Sequence, residues 1–277
     1  MELTCFDVTT EGKVAHVRLN RPDALNSMTP AFWSELPRLI DELSDSGEVR
    51  AIVISSTGKH FSAGMDLSVF TESGVFSDAE PGRRNAGLTL LVKRLQDSFT
   101  ALERARVPVL AAVHGGCIGG AVDMVCAADM RYASADAFFV VQETNIGMTA
   151  DVGTLQRLPK LIPDGVAREF VYTGRRMSAQ RAAEVGLVNQ VFDDHESLVA
   201  GVLEIAAEIA TKSPLAVWGA KEALVYARDH GVTDALHQIS TWQSGAFQPA
   251  DLMESFAAKN EKRAPQYQDL PAAPSGI

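Results

Sequence analysis

Three carboxylates, Asp123, Glu143 and Asp151, lie around paired glycines in one stretch of the chain, HGGCIGGAVDMVCAADMRYASADAFFVVQETNIGMTADVGTLQRLPK, residues 114–160. Acids brought to one place can take a proton from one atom of a substrate and deliver one to another. Gly119 and Gly120 follow a buried-strand pattern and open a helical one, so the backbone there can approach a ligand with no Cβ in the way. N–H groups exposed at such a helix start lie at the positive end of its dipole and can hold an oxygen that gains negative charge. A second donor is expected in Ala63-Gly64-Met65-Asp66, which also follows a buried-strand pattern, where α/β sheets place ligands. The chemistry this set suits is proton transfer beside a carbonyl.

Each signal also has a plainer structural reading. Asp123 falls in the first turn of its helix, where the dipole stabilises any acid. Asp151 precedes VGTLQRLPK and would serve as an N-cap. Glu143 follows AFFVV and reads equally as a solvated strand end, and the glycine pair as a tight turn made for packing. His114 and Cys117 flank glycines in one turn without an orienting third group, so a Cys/His nucleophile pair is not expected. There is no GxSxG elbow, GxGxxG or P-loop. The histidines at 16, 60, 114, 195, 230 and 237 form no ligand-spaced cluster, so no metal is expected.

The elements that must position these residues follow from pattern. A hairpin is expected from Cys5 to Leu19, turning at Glu11-Gly12 and stopped by Asn20-Arg21-Pro22. Phe32, Leu36, Leu39, Ile40 and Leu43 recur at helical spacing behind Thr29-Pro30, which predicts a helix over 30–44. AIVIS (51–55) and VPVLAAV (107–113) read as strands buried on both faces. Between them a long loop runs from Ser56 to about Gly87, followed by a helix over 88–105. Two short strands near 130–133 and 137–141 then lead to Glu143, and from about Pro159 the pattern is helical apart from a strand at 188–192. Ser213-Pro214 begins another helix, through about Arg228. Strand, loop and helix alternate as in an α/β fold with parallel strands.

Composition sets outer limits. A chain of 277 residues, 46% apolar and 22% charged, is an ordinary globular protein. A net charge of −10 argues against nucleic acid as a partner. Cys5, Cys117 and Cys126 show no CxxC spacing and read as reduced, partly buried thiols. No basic n-region with an apolar core, no run of ~20 apolar residues and no S-K-L terminus is present. A soluble, cytoplasmic protein with no membrane partner is the expectation.

Over nearly its whole length the chain resembles the crotonase (enoyl-CoA hydratase/isomerase) superfamily. The motifs that carry the likeness are NRPDALNSM (20–28), SAGMDL (62–67), HGGCIGGAVDM (114–124), GTLQRLPK (153–160) and TGRRMSAQRAAEVGLVNQVF (173–192). Within it, the stretch with Asp123, Glu143 and Asp151 looks most like 3,5-/2,4-dienoyl-CoA isomerases. Hydratases typically carry glutamates at the first two positions and glycine at the third; the isomerases have an acid there. The resemblance implies an α/β fold, a crotonase-like spiral of βαβ units over 1–200, with a helical C-terminal trimerisation region over 201–277. It implies backbone N–H groups of Met65 and Gly120 on a thioester oxygen, with Ala63, Gly64, Met65, Asp66, Leu67 and Gly120 lining the acyl-CoA site. Two departures stand out: Ser68 where hydratases often have lysine, and Ala121 where isomerases usually have glycine.

The activity the resemblance implies is isomerisation of 3,5-dienoyl-CoA to 2,4-dienoyl-CoA in fatty-acid β-oxidation, with Glu143 taking the C2 proton, Asp151 protonating C6 and Asp123 tuning both. Enoyl-CoA hydration is the alternative, and a non-catalytic acyl-CoA-binding protein a third reading. No separate cofactor is implied, since the CoA thioester is the substrate, and a homotrimer or hexamer is expected.

Overall fold

The apolar runs become β3 (Ala51–Ser56) and β4 (Val109–Val113), and every residue of both is buried. Such strands need cover on two faces. The computed structural model of the chain describes residues 3–66, 68–69, 80–247 and 249–274. Among them, β1 (Phe6–Glu11), β2 (Val14–Leu19), β3, β4, β6 (Met130–Ser134) and β9 (Gln190–Phe192) form one sheet in the order β1-β2-β3-β4-β6-β9. Only the β1–β2 hairpin is antiparallel; Val14 lies opposite Ala51, Ile52 opposite Val109 and Leu110 opposite Met130 in parallel register. One face packs on the helices Pro30–Asp45 and Pro81–Arg104 through Phe32, Leu36, Ile40, Phe99 and Leu102. The other face, with Val14, Val53, Leu110 and Ala112, is closed by Leu198, Val202 and Ala206 of the helix His195–Ala210.

A second, three-stranded sheet explains the spiral. β5 (Gly116–Ile118) and β7 (Phe138–Val140) pair in parallel, β8 (Met177–Ser178) joins antiparallel, and Ser62 bridges in parallel to Cys117. Ser62, β5 and β7 each follow a strand of the large sheet (β3, β4 and β6), so successive turns of chain stack in the same sense. These pieces are two or three residues long, below the length at which period-two patterning is legible, and β5 and β8 were not expected from the sequence.

Two boundaries differ from expectation. The helix forecast for 88–105 begins at Pro81, because the Glu80 carboxylate caps it by accepting from Gly82 N at 2.8 Å and Arg83 N at 3.2 Å. The long loop is therefore shorter than Ser56–Gly87, and its segment 70–79 lies outside the described residues. Glu143 does not end a strand: β7 stops at Val140, and Glu143 sits in a helical turn, Gln142–Asn145.

The later helices, Pro214–Asp229, Val232–Ala246 and Pro249–Glu261, are tied to the core at Lys221. Its buried ammonium donates to the carbonyls of Leu102 and Val107 at 2.7 and 3.0 Å and pairs with Asp129 at 2.7 Å. Burial pushes the Asp129 carboxyl upward and Lys221 holds it down. Lys221→Met would leave two carbonyls without a donor and the buried Asp129 without its cation, with only Val109 N still donating to it at 2.7 Å, so urea unfolding should show a loss of about 3–5 kcal/mol. An unchanged midpoint would mean that this anchor contributes nothing.

Candidate active site

The segment after β3 is held by the motif NRPDALNSM. Asn26, buried, donates through Nδ2 to the carbonyls of Thr57 and His60 at 2.8 and 3.0 Å, and its Oδ1 accepts from Arg21 N at 2.8 Å. Ser62 Oγ donates to Asn26 O at 2.8 Å, Ala63 N to Leu25 O at 2.9 Å and Met28 N to Gly64 O at 2.8 Å. Gly64 has φ +85°, and a Cβ there would meet Ile118 O at 2.5 Å and Gly120 N at 3.3 Å. Only glycine allows this close approach of the two loops. Met65 N lies 3.8 Å from the place of a Cβ on Gly120. Neither Met65 N nor Gly120 N, the latter the first residue of the helix Gly120–Ala127, has a hydrogen-bond acceptor among the described residues. Two backbone donors thus lie side by side at one helix start.

The acids gather around that point. Glu143 Oε1 would be 3.2 Å from a Cβ on Gly119. Asp123 is sealed, 1% exposed, and its Oδ1 accepts from Thr154 N at 2.6 Å. Burial first, then the neighbouring Glu143, raises its pKa from 3.8 to about 7. Glu143 is raised by burial and by Asp151. Asp151 has much of its surface open to solvent, yet the protein behind its carboxylate raises it too. Asp151 thus acts on Glu143, and both act on Asp123, in each case favouring the protonated form.

The plainer readings resolve unevenly. The helix Thr154–Leu161 has Gly153 at its N-cap position and no cap from its N-cap side chain. The acid at its first N–H is Asp123, from another helix, so Asp151 is not the cap. Asp66 is committed elsewhere: Ser68 N at 3.0 Å and Ser27 Oγ at 2.8 Å hold its carboxylate and lower its pKa. Leu67 lies outside the described residues. Cys117 is fully buried with its thiol pushed well up, while His114 bonds the Gly58 carbonyl at 2.9 Å and stacks on His195. They form no nucleophile pair. Among the described residues no group of three or more His, Cys, Asp or Glu could hold a metal ion, and no helix is long and apolar enough to cross a membrane.

Sequence reasoning missed the groove beside these donors. Trp33, Val69, Leu91 and Leu95 line a cleft of about 340 Å³, and the Trp33 ring lies 3.9 Å from the place of a Cβ on Gly120. The signal was available in Leu91 and Leu95, one helical turn apart.

Stacked βαβ turns define an α/β spiral in which two backbone N–H groups without an acceptor among the described residues lie near Glu143, with Asp123 and Asp151 close enough to it for their charges to interact. The family model for enoyl-CoA hydratase/isomerase matches residues 9–270. The chain belongs to that family. It is 42% identical over 261 residues to the mouse (Mus musculus) mitochondrial Delta(3,5)-Delta(2,4)-dienoyl-CoA isomerase, covering 93% of this chain and 80% of the relative. It is 40% identical to the peroxisomal enzyme of that name from Arabidopsis thaliana, covering 94% and 95%. A solved enoyl-CoA hydratase from Bacillus anthracis superposes with a TM-score of 0.86 at 30% identity, covering 95% and 99%. The cytoplasmic location expected above is corrected by these relatives, which are named mitochondrial or peroxisomal. Addresses are short segments read by receptors and leave no mark on a fold, so their apparent lack did not justify that placement.

Asp123 allows a test without substrate. Its folded pKa of about 7 exceeds its ordinary value of 3.8, so between those pH values the folded chain keeps a proton that the unfolded chain has released. The stability it lends is full below about pH 4 and is lost as pH rises through about 7. Against Asp123→Asn, which keeps an acceptor for Thr154, the wild type should lose up to about 4 kcal/mol across that window. Parallel stability curves would show an ordinary, freely ionising acid.

Proposed function

We propose that the chain converts 3,5-dienoyl-CoA to 2,4-dienoyl-CoA. The observation that carries this reading is the third acid, Asp151, coupled to Glu143 and Asp123 beside two free backbone donors. The names of the mouse and Arabidopsis relatives support it. Glu143 removes a proton from C2, and the electron pair moves into a trienolate whose thioester oxygen is held by Met65 N–H and Gly120 N–H. Asp151 delivers a proton to C6, leaving double bonds at C2 and C4. Asp123, sealed behind them, tunes the other two. The apolar groove at Trp33, Leu91 and Leu95 takes the acyl chain. No separate cofactor takes part, and the conjugated product belongs to the β-oxidation of unsaturated fatty acids.

Hydration of an enoyl-CoA needs an acid pair to handle water, which Asp123 and Glu143 would supply; it is the competing reading. The rise of conjugated-diene absorbance on addition of a 3,5-dienoyl-CoA decides between them. Brisk hydration of crotonyl-CoA without diene conjugation would overturn the proposal, and thioester binding without turnover would favour a binding protein. Asp151→Asn should cut isomerisation by ~10²–10⁴ or more while KM changes little. Near wild-type turnover would remove Asp151 from the reaction.

Assembly as trimers or paired trimers belongs to the same proposal. Leu224, Leu236, Met253 and Phe256 stand exposed on helices of the 201–277 region, where a lone chain would leave them in water. Sedimentation should give three or six times 29.8 kDa. A monomer mass would count against it.

A further inference from the structure

The turn that carries Asp151 is gripped by a single helix. From Pro81–Arg104, Gln96 Nε2 donates to the Asp151 carbonyl at 2.7 Å. One and two turns further on, Thr100 Oγ1 and Glu103 Oε2 accept from Arg157 Nη2 at 3.3 and 2.8 Å. Arg157 folds back over its own helix start, and its Nη1 fills the space that a Cβ on Gly153 would need, at φ +137°. Ala150 and Val152, on either side of Asp151, are each 3% exposed. The acid thus sits between two buried neighbours, and its carbonyl and the arginine that crosses Gly153 are held by the helix whose Leu91 and Leu95 line the groove.

The grip brings a cation with it. Arg157 and Glu103 are 12% and 11% exposed, and their pair is nearly dry. Glu103 also pairs with Arg228, Arg228 with Asp229, and Asp229 with Lys160. The charged groups around this turn are therefore Glu103 from the groove helix, Lys160 on the helix of Arg157, and Arg228 and Asp229 from Pro214–Asp229. Asp123 and Glu143 face it from the acid cluster. At Cys126, on the helix of Asp123, Arg157 favours ionisation and Glu103 opposes it, so their fields offset there.

We propose that Gln96, Arg157 and Glu103 are positioning residues for Asp151: Gln96 and Arg157 fix its turn against the groove helix, and Glu103 cancels the charge that Arg157 brings. This rests on the reading of Asp151 as proton donor. A bare guanidinium at that depth would stabilise the carboxylates around it. A proton donor must instead hold its proton near working pH. With Glu103 in place, the cation serves as a mechanical strut without acting on the acids.

The test compares Gln96→Leu, Arg157→Met, Glu103→Gln and the double variant Glu103→Gln/Arg157→Met. It reads kcat, KM and pH profile on a 3,5-dienoyl-CoA, and the ¹³C titration of the carboxyl carbons without substrate. Gln96→Leu and Arg157→Met should lower kcat about tenfold to hundredfold, with KM within about twofold. Glu103→Gln should move both the pH profile and the carboxyl titration about 0.5–1 toward acid. In the double variant the titration should return toward wild type while kcat stays low, a split that a merely structural pair would not produce. Full kcat in Gln96→Leu and Arg157→Met, or a Glu103→Gln titration identical to wild type, overturns the proposal. If Arg157→Met does not fold, Gln96→Leu and Glu103→Gln decide it alone. A wild type that conjugates no diene defeats the functional reading instead, and the substrate-free titration still decides the charge argument.

Discussion

The structure depends on two loops held so closely that a Cβ on Gly64 would meet Ile118 O at 2.5 Å and Gly120 N at 3.3 Å. Ser62 and Cys117 form a parallel bridge, tightened by Phe61 N to His114 O at 2.9 Å, Ser62 N to Gly116 O at 3.1 Å and Ile118 N to Ser62 O at 3.1 Å. Those bonds leave Met65 N and Gly120 N free side by side. Parallel strands cannot be joined by a hairpin and need a long crossover between them. Here the crossover contains the helix Pro81–Arg104, which also supplies the groove wall and the clamp on Asp151. One topological requirement therefore builds the donors, the groove and the support of the acids together.

Electrostatics in the site follow from burial more than from like-charge repulsion. For Asp123, Glu143 and Asp151 burial is the largest cause of the upward shift, and neighbouring acids add to it at Asp123 and Glu143. Raising an acid this way costs stability, because the folded state must shelter a group that water would ionise. The surrounding core can carry that cost. Phe32, Trp33 and Phe99 pack with ring centroids 4.9 to 6.5 Å apart directly behind the donor loops.

Much of this was legible in the sequence, for identifiable reasons. β3 and β4 were readable because strands buried on both faces are continuous apolar runs, and the helix at Pro30 because its apolar positions recur at helical spacing. The three acids and two donor loops were readable from residue type and place, and in the structure Asp151 raises Glu143 while both raise Asp123. Of the second sheet only the strand near 137–141 was readable, since pieces such as Met177–Ser178 pair through neighbours distant in the chain. The early start of the groove helix was missed because residues 80–90 face solvent and carry no apolar period. Gln96, Glu103 and Arg157 were invisible for a third reason. A glutamine or an ion pair on a helix face has no local signature, and only the fold shows that Gln96 meets the Asp151 carbonyl and Glu103 meets Arg157.

The acids differ most in their access to water, and that ordering bears on how the proposed reaction would close its cycle. Each turnover would leave Glu143 with a proton gained and Asp151 with one lost, so the cluster must redistribute a proton before the next substrate. Asp123 cannot do this through solvent: it is 1% exposed and fixed to Thr154 N at 2.6 Å. Asp151 faces water and can be recharged directly, while Glu143 lies between them, half-buried in its helical turn. A sealed acid with a pKa near 7 is a poor carrier but an effective sensor. Its charge state would follow that of Glu143, discouraging both from being ionised at once. Under the proposed reaction, the gradient from sealed to open acid fits tuning by Asp123 and exchange by Asp151.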